Sequence, residues 1–311
     1  MHNTIYQTQM DINTISEISG IKPHTLRIWE KRYNIIHPQR SEGGTRIYSD
    51  EDLKTILNIQ LLTQYGYKIS KVANLSPQER NEIIKEKLDD ETSNDQYTLF
   101  INQLIKCAID LDEINFERYF NQCIIRWGFE DTISYVIYPL LKKIGLLWEI
   151  DNISPIEEHF ASQIVLQKIH EATSLLPYPV HSDQEYILFL PENNHHAIPL
   201  LFTNYLLRKN DKKTIYLGED VPLKNLLKVS GKGRFKKAVF TTFFIFRQEK
   251  KCIKTIEHLL NNTDNDTMIL VGGEINNLHA LQRTFIDNTR VKTFSSIEEF
   301  KKITLNSNSE N

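Results

Sequence analysis

The stretch from Thr14 to Tyr48 constrains the fold of this chain more than any other. Ile12, Ile15 and Ile18 are helically spaced, and Gly20 admits the positive φ that ends a helix. After a short turn, Pro23 suits the first turn of a second helix, where its missing N–H is no loss, and Leu26, Ile28 and Trp29 are expected to form its apolar face. His24, Thr25, Arg27 and Lys31 are then left to face outward. The pattern is a helix-turn-helix, and the residues beyond it decide between a DNA reader and an ordinary helical hairpin.

Between Lys22 and Arg46 stand six basic residues (Lys22, Arg27, Lys31, Arg32, Arg40, Arg46) against two acidic ones (Glu30, Glu42), although the whole chain carries a net charge of -3. The positive charge is local, as phosphate binding requires. Arg40, a tight turn at Gly43-Gly44, then Arg46 and Tyr48 predict a small hairpin that carries two guanidinium groups toward a second groove or the backbone. Any one of these residues alone fits a solvated surface; their order argues for a basic wing.

The run LRIWEKRYNIIHPQRSEGGTRIYSDEDL resembles the DNA-binding domain of the MerR family of bacterial transcription regulators. The resemblance implies a winged helix-turn-helix whose second helix, from Pro23, enters the major groove. It assigns DNA contacts to Thr25, Arg27, Lys31, Arg40, Arg46 and Tyr48, and sets Trp29 on the buried side or near the backbone. It also implies binding as a dimer to inverted repeats, the usual geometry of such readers. From Ser49, an N-cap with three acids in the first turn leads into Leu53, Ile56, Leu57, Ile59 and Leu61, a supporting helix closed by Gly66.

At 311 residues, 40% hydrophobic and 25% charged, the chain has room for two or three soluble domains. It has no basic region followed by an apolar core at its start. Its longest apolar run, Ala238 to Phe246, is interrupted by Thr241 and Thr242 and is too short to span a bilayer, so a cytoplasmic protein is expected. Cys107, Cys123 and Cys252 lack metal-ligand spacing and read as buried or free thiols. Residues 1–76 form the winged head in this reading. The charged segment 77–95 is a linker, with the boundary near Asp90 to Asp95.

Residues 96–181 carry apolar patterns at helical spacing, Leu99 to Ile109, Ile114 to Trp127, Phe129 to Leu147 and Ile156 to Leu176, which predict a four-helix bundle. The last helix opens with Ser154 as N-cap, Pro155 in the first position and Glu157 completing a capping box. Residues 182–311 alternate short apolar runs (185–190, 214–217, 238–242, 268–271, 291–294) with helical patterns, which predicts a parallel, doubly wound α/β sheet. Ligands of such sheets bind at the carboxyl ends of the strands. The loops there hold His195, His196, Gly218, Glu219, Gly272 and Gly273, with Thr242 ending the third strand.

Trp148 followed by Glu158-His159, and then by the loop Pro191 to Pro199, resembles the cobalamin-binding module of the CarH/LitR group of MerR regulators. In that group the bundle caps the upper face of adenosylcobalamin, and a His from a Glu/Asp-x-His-x-x-Gly loop ligates cobalt from below. The resemblance therefore implies a cofactor set of Trp148, Glu158, His159, His196, Gly218, Thr242, Gly272 and Gly273, with His196 as the cobalt ligand. Two positions depart from the group. Asn194 replaces the acid that orients the imidazole, and an uncharged amide raises imidazole basicity less than a carboxylate does. Pro199 replaces a glycine and adds bulk against the nucleotide tail. Glu149 after Trp148 leaves no histidine there as a second ligand, which removes one route to a light response.

The expected function is that of a non-enzymatic, DNA-binding regulator that self-associates as a dimer or tetramer and is switched by a corrinoid. Two alternatives stay open. One is a regulator whose sheet domain has lost the cofactor and serves for oligomerisation or partner binding. The other is a corrinoid-dependent enzyme, disfavoured by the DNA-binding head and by the lack of a catalytic cluster.

Overall fold

The computed structural model describes residues 10–41, 43–89, 96–149, 155–179, 184–229, 238–245 and 248–305, giving the backbone alone at 85, 87–89, 146–149 and 229. The chain divides into two compact units, Met1–Ile164 and Val165–Asn311.

In the first unit, α1 (Ile12–Ser19) is capped by Asp11, whose carboxylate accepts from the N–H groups of Asn13 and Thr14, and it ends at Gly20 with φ 72°. Then α2 (Pro23–Ile28) runs directly into a π-helical turn, Trp29–Tyr33. Leu26 and Trp29 are buried, but Ile28 is 47% exposed, which corrects its expected place on the apolar face. Positions three apart share a helix face and positions two apart do not, so Leu26 and Trp29 point inward together and Ile28 points away. Strands β1 (Gln39–Arg40) and β2 (Arg46–Ile47) form the wing, with Arg40 opposite Arg46. Tyr48 then pairs with Met10 in an antiparallel bridge.

The supporting helix α3 (Asp50–Gln64) opens with a capping box between Ser49 and Asp52, and Leu53, Ile56, Leu57, Ile59 and Leu61 are all buried. After the short α4 (Ile69–Val72) comes α5 (Pro77–Asp89). This helix overturns the linker reading for residues 77–89. Its start is fixed by Ser76 and Glu79, each side chain taking the other's backbone N–H, while Ile84 and Arg80 are buried. So few apolar residues among so many charges resemble a linker in sequence, yet one inward stripe is enough for a helix that has a neighbour to pack on. The expected boundary at Asp90 to Asp95 lies outside the described residues.

The bundle consists of α6 (Gln96–Asp110), α7 (Glu113–Asp131), a π-helical segment Thr132–Ile137, α8 (Tyr138–Glu149) and α9 (Pro155–Ser174). Gly128, with φ 79°, breaks the helix between Trp127 and Phe129 where the sequence patterns part. Phe100, Leu104, Phe116, Phe120, Ile133, Ile137 and Leu140 are fully buried, and Trp127 meets Phe100 edge-on at 5.4 Å. Ser154, the expected N-cap of α9, lies outside the described residues. Head and bundle meet within this unit along a polar seam. Lys54 pairs with Asp110 at 2.5 Å, Lys106 Nζ donates to Asn58 Oδ1 at 2.9 Å, and Asn102 Nδ2 donates to Gln60 Oε1 at 3.2 Å.

The second unit takes in the end of α9 and, after it, the predicted doubly wound sheet. In chain order the sheet and its helices comprise β3 (Glu185–Pro191), α10 (Ala197–Lys209), β4 (Lys213–Val221), α11 (Leu223–Val229), β5 (Ala238–Phe244), α12 (Glu249–Asn261), β6 (Met268–Gly273), α13 (Ile275–Thr284), β7 (Val291–Phe294) and α14 (Ile297–Leu305). All strand pairs are parallel, in the order β4-β3-β5-β6-β7. Ile187, Phe189, Phe240, Phe244, Ile269 and Val271 cover one face and pack against Leu226, Cys252, Ile256, Leu259, Leu278 and Leu281 of α11, α12 and α13. On the other face Phe243 meets Phe294 edge-on at 5.4 Å, and Phe294 meets Phe300 of α14. The strand order reverses between β3 and β5, so the switch point of the sheet opens between the loops that leave those two strands.

Candidate DNA interface and candidate corrinoid site

Helix α2 and the wing present their basic residues unequally. His24, Arg27, Lys31 and Arg40 are exposed, while Thr25 is half-buried with its hydroxyl 3.4 Å from His24 Nε2. Arg40 also donates to the Gly44 carbonyl at 3.3 Å, across the turn it begins. Arg46 is held from behind, its Nε 2.6 Å from Glu30 Oε2. That hydrogen-bonded carboxylate raises the Arg46 guanidinium further above its ordinary value. Tyr48 is 0% exposed, which corrects its assignment as a DNA contact. Its hydroxyl is buried without a hydrogen-bond partner, and burial, with Glu30 nearby, pushes it up to about 12. Tyr48 lies just past β2, where its backbone N–H and carbonyl bond Met10 ahead of α1 and its side chain is buried.

Sequence reasoning missed Glu30. Its acidic charge seemed only to dilute the basic cluster, whereas it ties the wing to the turn at the end of the second helix. The pairing spans sixteen residues, so no local spacing announces it.

At the carboxyl edge of the sheet, the loop after β3 is pinned at several points. The Asn193 N–H donates to Asp220 Oδ1 at 2.8 Å, and Lys251 Nζ donates to the Glu192 carbonyl at 3.0 Å. His195 Nδ1 lies 3.5 Å from Glu219 Oε2. His196 is the N-cap residue of α10 and is exposed. Asn194 Nδ2 donates to the Phe243 carbonyl at 2.8 Å, and its Oδ1 accepts from the His196 backbone N–H at 3.3 Å. Both ends of this amide thus bond backbone, which corrects the expectation that Asn194 stands in for the acid as partner of an imidazole ring.

Thr241 and Thr242 are consecutive in β5 and so face opposite sides of the sheet. Both hydroxyls are buried without a hydrogen-bond partner. A Cβ on Gly272 would lie 2.4 Å from the Phe243 ring and 2.7 Å from that of Phe294, and one on Gly273 would lie 2.2 Å from the Phe244 carbonyl oxygen. The paired glycines therefore make room for the chain's own aromatic rings and backbone. Gly218 adopts φ 80° where the β3–β4 register shifts. Glu158 accepts from Ser162 Oγ at 2.6 Å and lies 3.1 Å from His159 Nδ1, with His159 exposed. The backbone of Trp148 lies in α8; its side chain is outside the described residues.

An exposed imidazole at the mouth of a switch point suits a transition-metal centre, and buried hydroxyls without partners suit a ligand carrying amides. On those two counts the residues present fit a corrinoid. Among the described residues no group of three or more His, Cys, Asp or Glu side chains is arranged to hold a free metal ion, and no helix is long and apolar enough to cross a membrane.

Residues 10–79 match the MerR HTH family regulatory protein model, and residues 100–171 match the B12 binding domain model. The chain is 26% identical over 218 residues to the HTH-type transcriptional repressor CarH of Myxococcus xanthus, covering 69% of this chain and 72% of that protein. It is also 26% identical over 213 residues to the repressor CarA of the same organism, covering 68% of each. Among solved structures, the monomethylamine corrinoid protein of Methanosarcina barkeri shares the fold, with a TM-score of 0.52 at 15% identity over 68% of this chain and 99% of that one. Residues 10–79 thus carry a MerR-type winged head and residues 100–171 a B12-binding-type helical domain, and over about two thirds of its length the chain is homologous to the CarH and CarA repressors.

Proposed function

We propose that this regulator binds an inverted-repeat operator as a dimer or larger assembly and that a corrinoid held at the sheet's carboxyl edge changes that binding. The observation that carries the reading is the joining of an exposed basic helix and wing to a corrinoid-type sheet whose switch-point loop presents His196. In the head, Arg27, Lys31 and Arg40 contribute charge to the phosphates, and Arg46 shares its charge between Glu30 and DNA. At the sheet, His196 would supply the imidazole for cobalt, and the hydroxyl of Thr241 or Thr242 would bond the corrinoid's polar periphery. When bound, a corrinoid would supply a cobalt centre whose change of ligation the protein could sense. The chain's own part is to present the imidazole at a fixed place.

The test is the visible spectrum of the full-length protein after incubation in the dark with adenosylcobalamin and removal of unbound ligand, alongside His196→Ala and an operator-shift assay with and without the corrinoid. Retained corrin absorbance that turns base-off in His196→Ala, with operator affinity altered by the corrinoid, supports the proposal. A protein that shifts operator DNA yet retains no corrin favours a sensor domain that works without the cofactor, a reading to which the ring-filled space beside Gly272 lends weight.

A further inference from the structure

Two asparagines grip consecutive carbonyls at the end of β5. Asn194 donates to the Phe243 carbonyl and accepts from the His196 N–H, at 2.8 and 3.3 Å. Asn277, fully buried in α13, donates to the Phe244 carbonyl at 3.1 Å and accepts from the Gln248 N–H at 2.8 Å. In each case the partners fix which way the amide points, because only its NH₂ can face a carbonyl and only its oxygen can face an N–H. The two clamps hold opposite sides of one strand end. Asn194 secures the loop arriving from β3, and Asn277 secures the start of α12.

We infer that Asn194 is a positioning residue for His196, in a role that an amide can fill and a carboxylate cannot. The loop is tied to Asp220 and Glu219 of β4 and to Lys251 of α12, and Asn194 links it to β5 across the switch point. An ionised aspartate retains the acceptor for the His196 N–H but has no donor for the Phe243 carbonyl, and it sets a negative charge beside that oxygen. The acid that the sequence resemblance would place here therefore loosens this loop. Asn194 is half-buried, so the lost bond is only partly replaced by water. The inference rests on the proposed role of His196, and its test is built to fail separately from that role.

The experiment compares Asn194→Asp and Asn194→Ala with the wild type as full-length proteins. Hydrogen exchange at residues 193–197 is followed by mass spectrometry without corrinoid, and adenosylcobalamin affinity and spectrum are read in the dark. The expected result is faster exchange across residues 193–197 in both variants, most at the His196 amide of Asn194→Ala, which loses its acceptor, with corrinoid affinity lowered on the order of tenfold, as for other residues that orient a metal ligand. The His-ligated band should weaken in Asn194→Asp as much as in Asn194→Ala. Exchange unchanged in Asn194→Asp, or tighter corrinoid binding with a stronger His-ligated band, would overturn the inference. If the wild type retains no corrin, the functional proposal falls while the exchange comparison still decides whether the clamp exists.

Discussion

Lys106→Met probes the polar seam between head and bundle, and its effect should change sign with pH. Lys106 Nζ donates to Asn58 Oδ1 at 2.9 Å from a half-buried position, and burial pushes its ammonium down from the ordinary 10.5 to about 8. A proton bound less tightly in the folded than in the unfolded protein opposes folding. The penalty is complete below about pH 8, is relieved as pH rises from about 8 to 10.5, and is gone above that. At about 1.4 kcal/mol per pKa unit the shift sets an upper bound of roughly 3.5 kcal/mol, and partial exposure to solvent brings it to about 1–2 kcal/mol. Methionine removes the penalty and also the bond to Asn58, which contributes about 1 kcal/mol. At about pH 7 the variant should therefore be equal to or up to about 1 kcal/mol more stable than the wild type, and at about pH 10.5 it should be less stable by the lost bond. Urea unfolding at several values between these limits, read as the difference between the two proteins, cancels the titration of every other group. A difference that stays constant across the range refutes the reasoning.

Three further outcomes are expected of the head and the sheet. Glu30→Gln removes the charge that holds Arg46 and frees the guanidinium for phosphate, so the slope of log affinity against log salt should steepen by up to about one, read by fluorescence anisotropy on operator DNA; an unchanged slope means that Arg46 does not reach a phosphate. Tyr48→Phe should leave DNA affinity unchanged and raise stability by up to about 1 kcal/mol, because a buried hydroxyl without a partner is removed. A tenfold fall in affinity would restore Tyr48 as a contact. Gly272→Ala should lower stability by about 1–3 kcal/mol in thermal or urea unfolding, since the new methyl must displace two aromatic rings; a neutral effect would show that Phe243 and Phe294 move freely.

How much of this could be read in the sequence depended on the range of the interaction. Local signals were reliable: the caps at Gly20 and Ser49, the break at Gly128 and the five strands lie where spacing put them. The basic helix and wing were also legible, because charge clustered within a short stretch survives folding as a surface. Properties that depend on a distant partner were not. Tyr48 comes directly after the wing in sequence but turns inward onto Met10, and Arg46 is held by a carboxylate sixteen residues away. Asn194 looked like a weakened acid because sequence shows its position in the loop and not the Phe243 carbonyl that its amide meets. Residues 77–89 looked like a linker because their charge outweighs one inward stripe.

The seam along α6 gives the first unit its functional character. Asn102, Lys106 and Asp110 recur at four-residue intervals on one face of α6 and meet Gln60, Asn58 and Lys54 of α3. The exposed Lys54–Asp110 pair exchanges with water at little net cost, whereas Asn102 is buried and breaking its bond to Gln60 leaves a donor unpaired, so the seam fixes the orientation of the two helices mainly at its buried end. The match to the B12 binding domain begins at residue 100, which places α6 as the first helix of that domain, directly against the helix that supports the DNA-reading head. At its other end α3 is tied to the wing. Asp52 closes the cap with Ser49 through one carboxylate oxygen and takes the His37 N–H through the other, just before Gln39 and Arg40 enter β1. The supporting helix thus touches the bundle on one side and the base of the wing on the other. A repacking of the bundle that shifts α6 must either open the seam or carry α3 and the wing with it, and only the second moves Arg40 and Arg46.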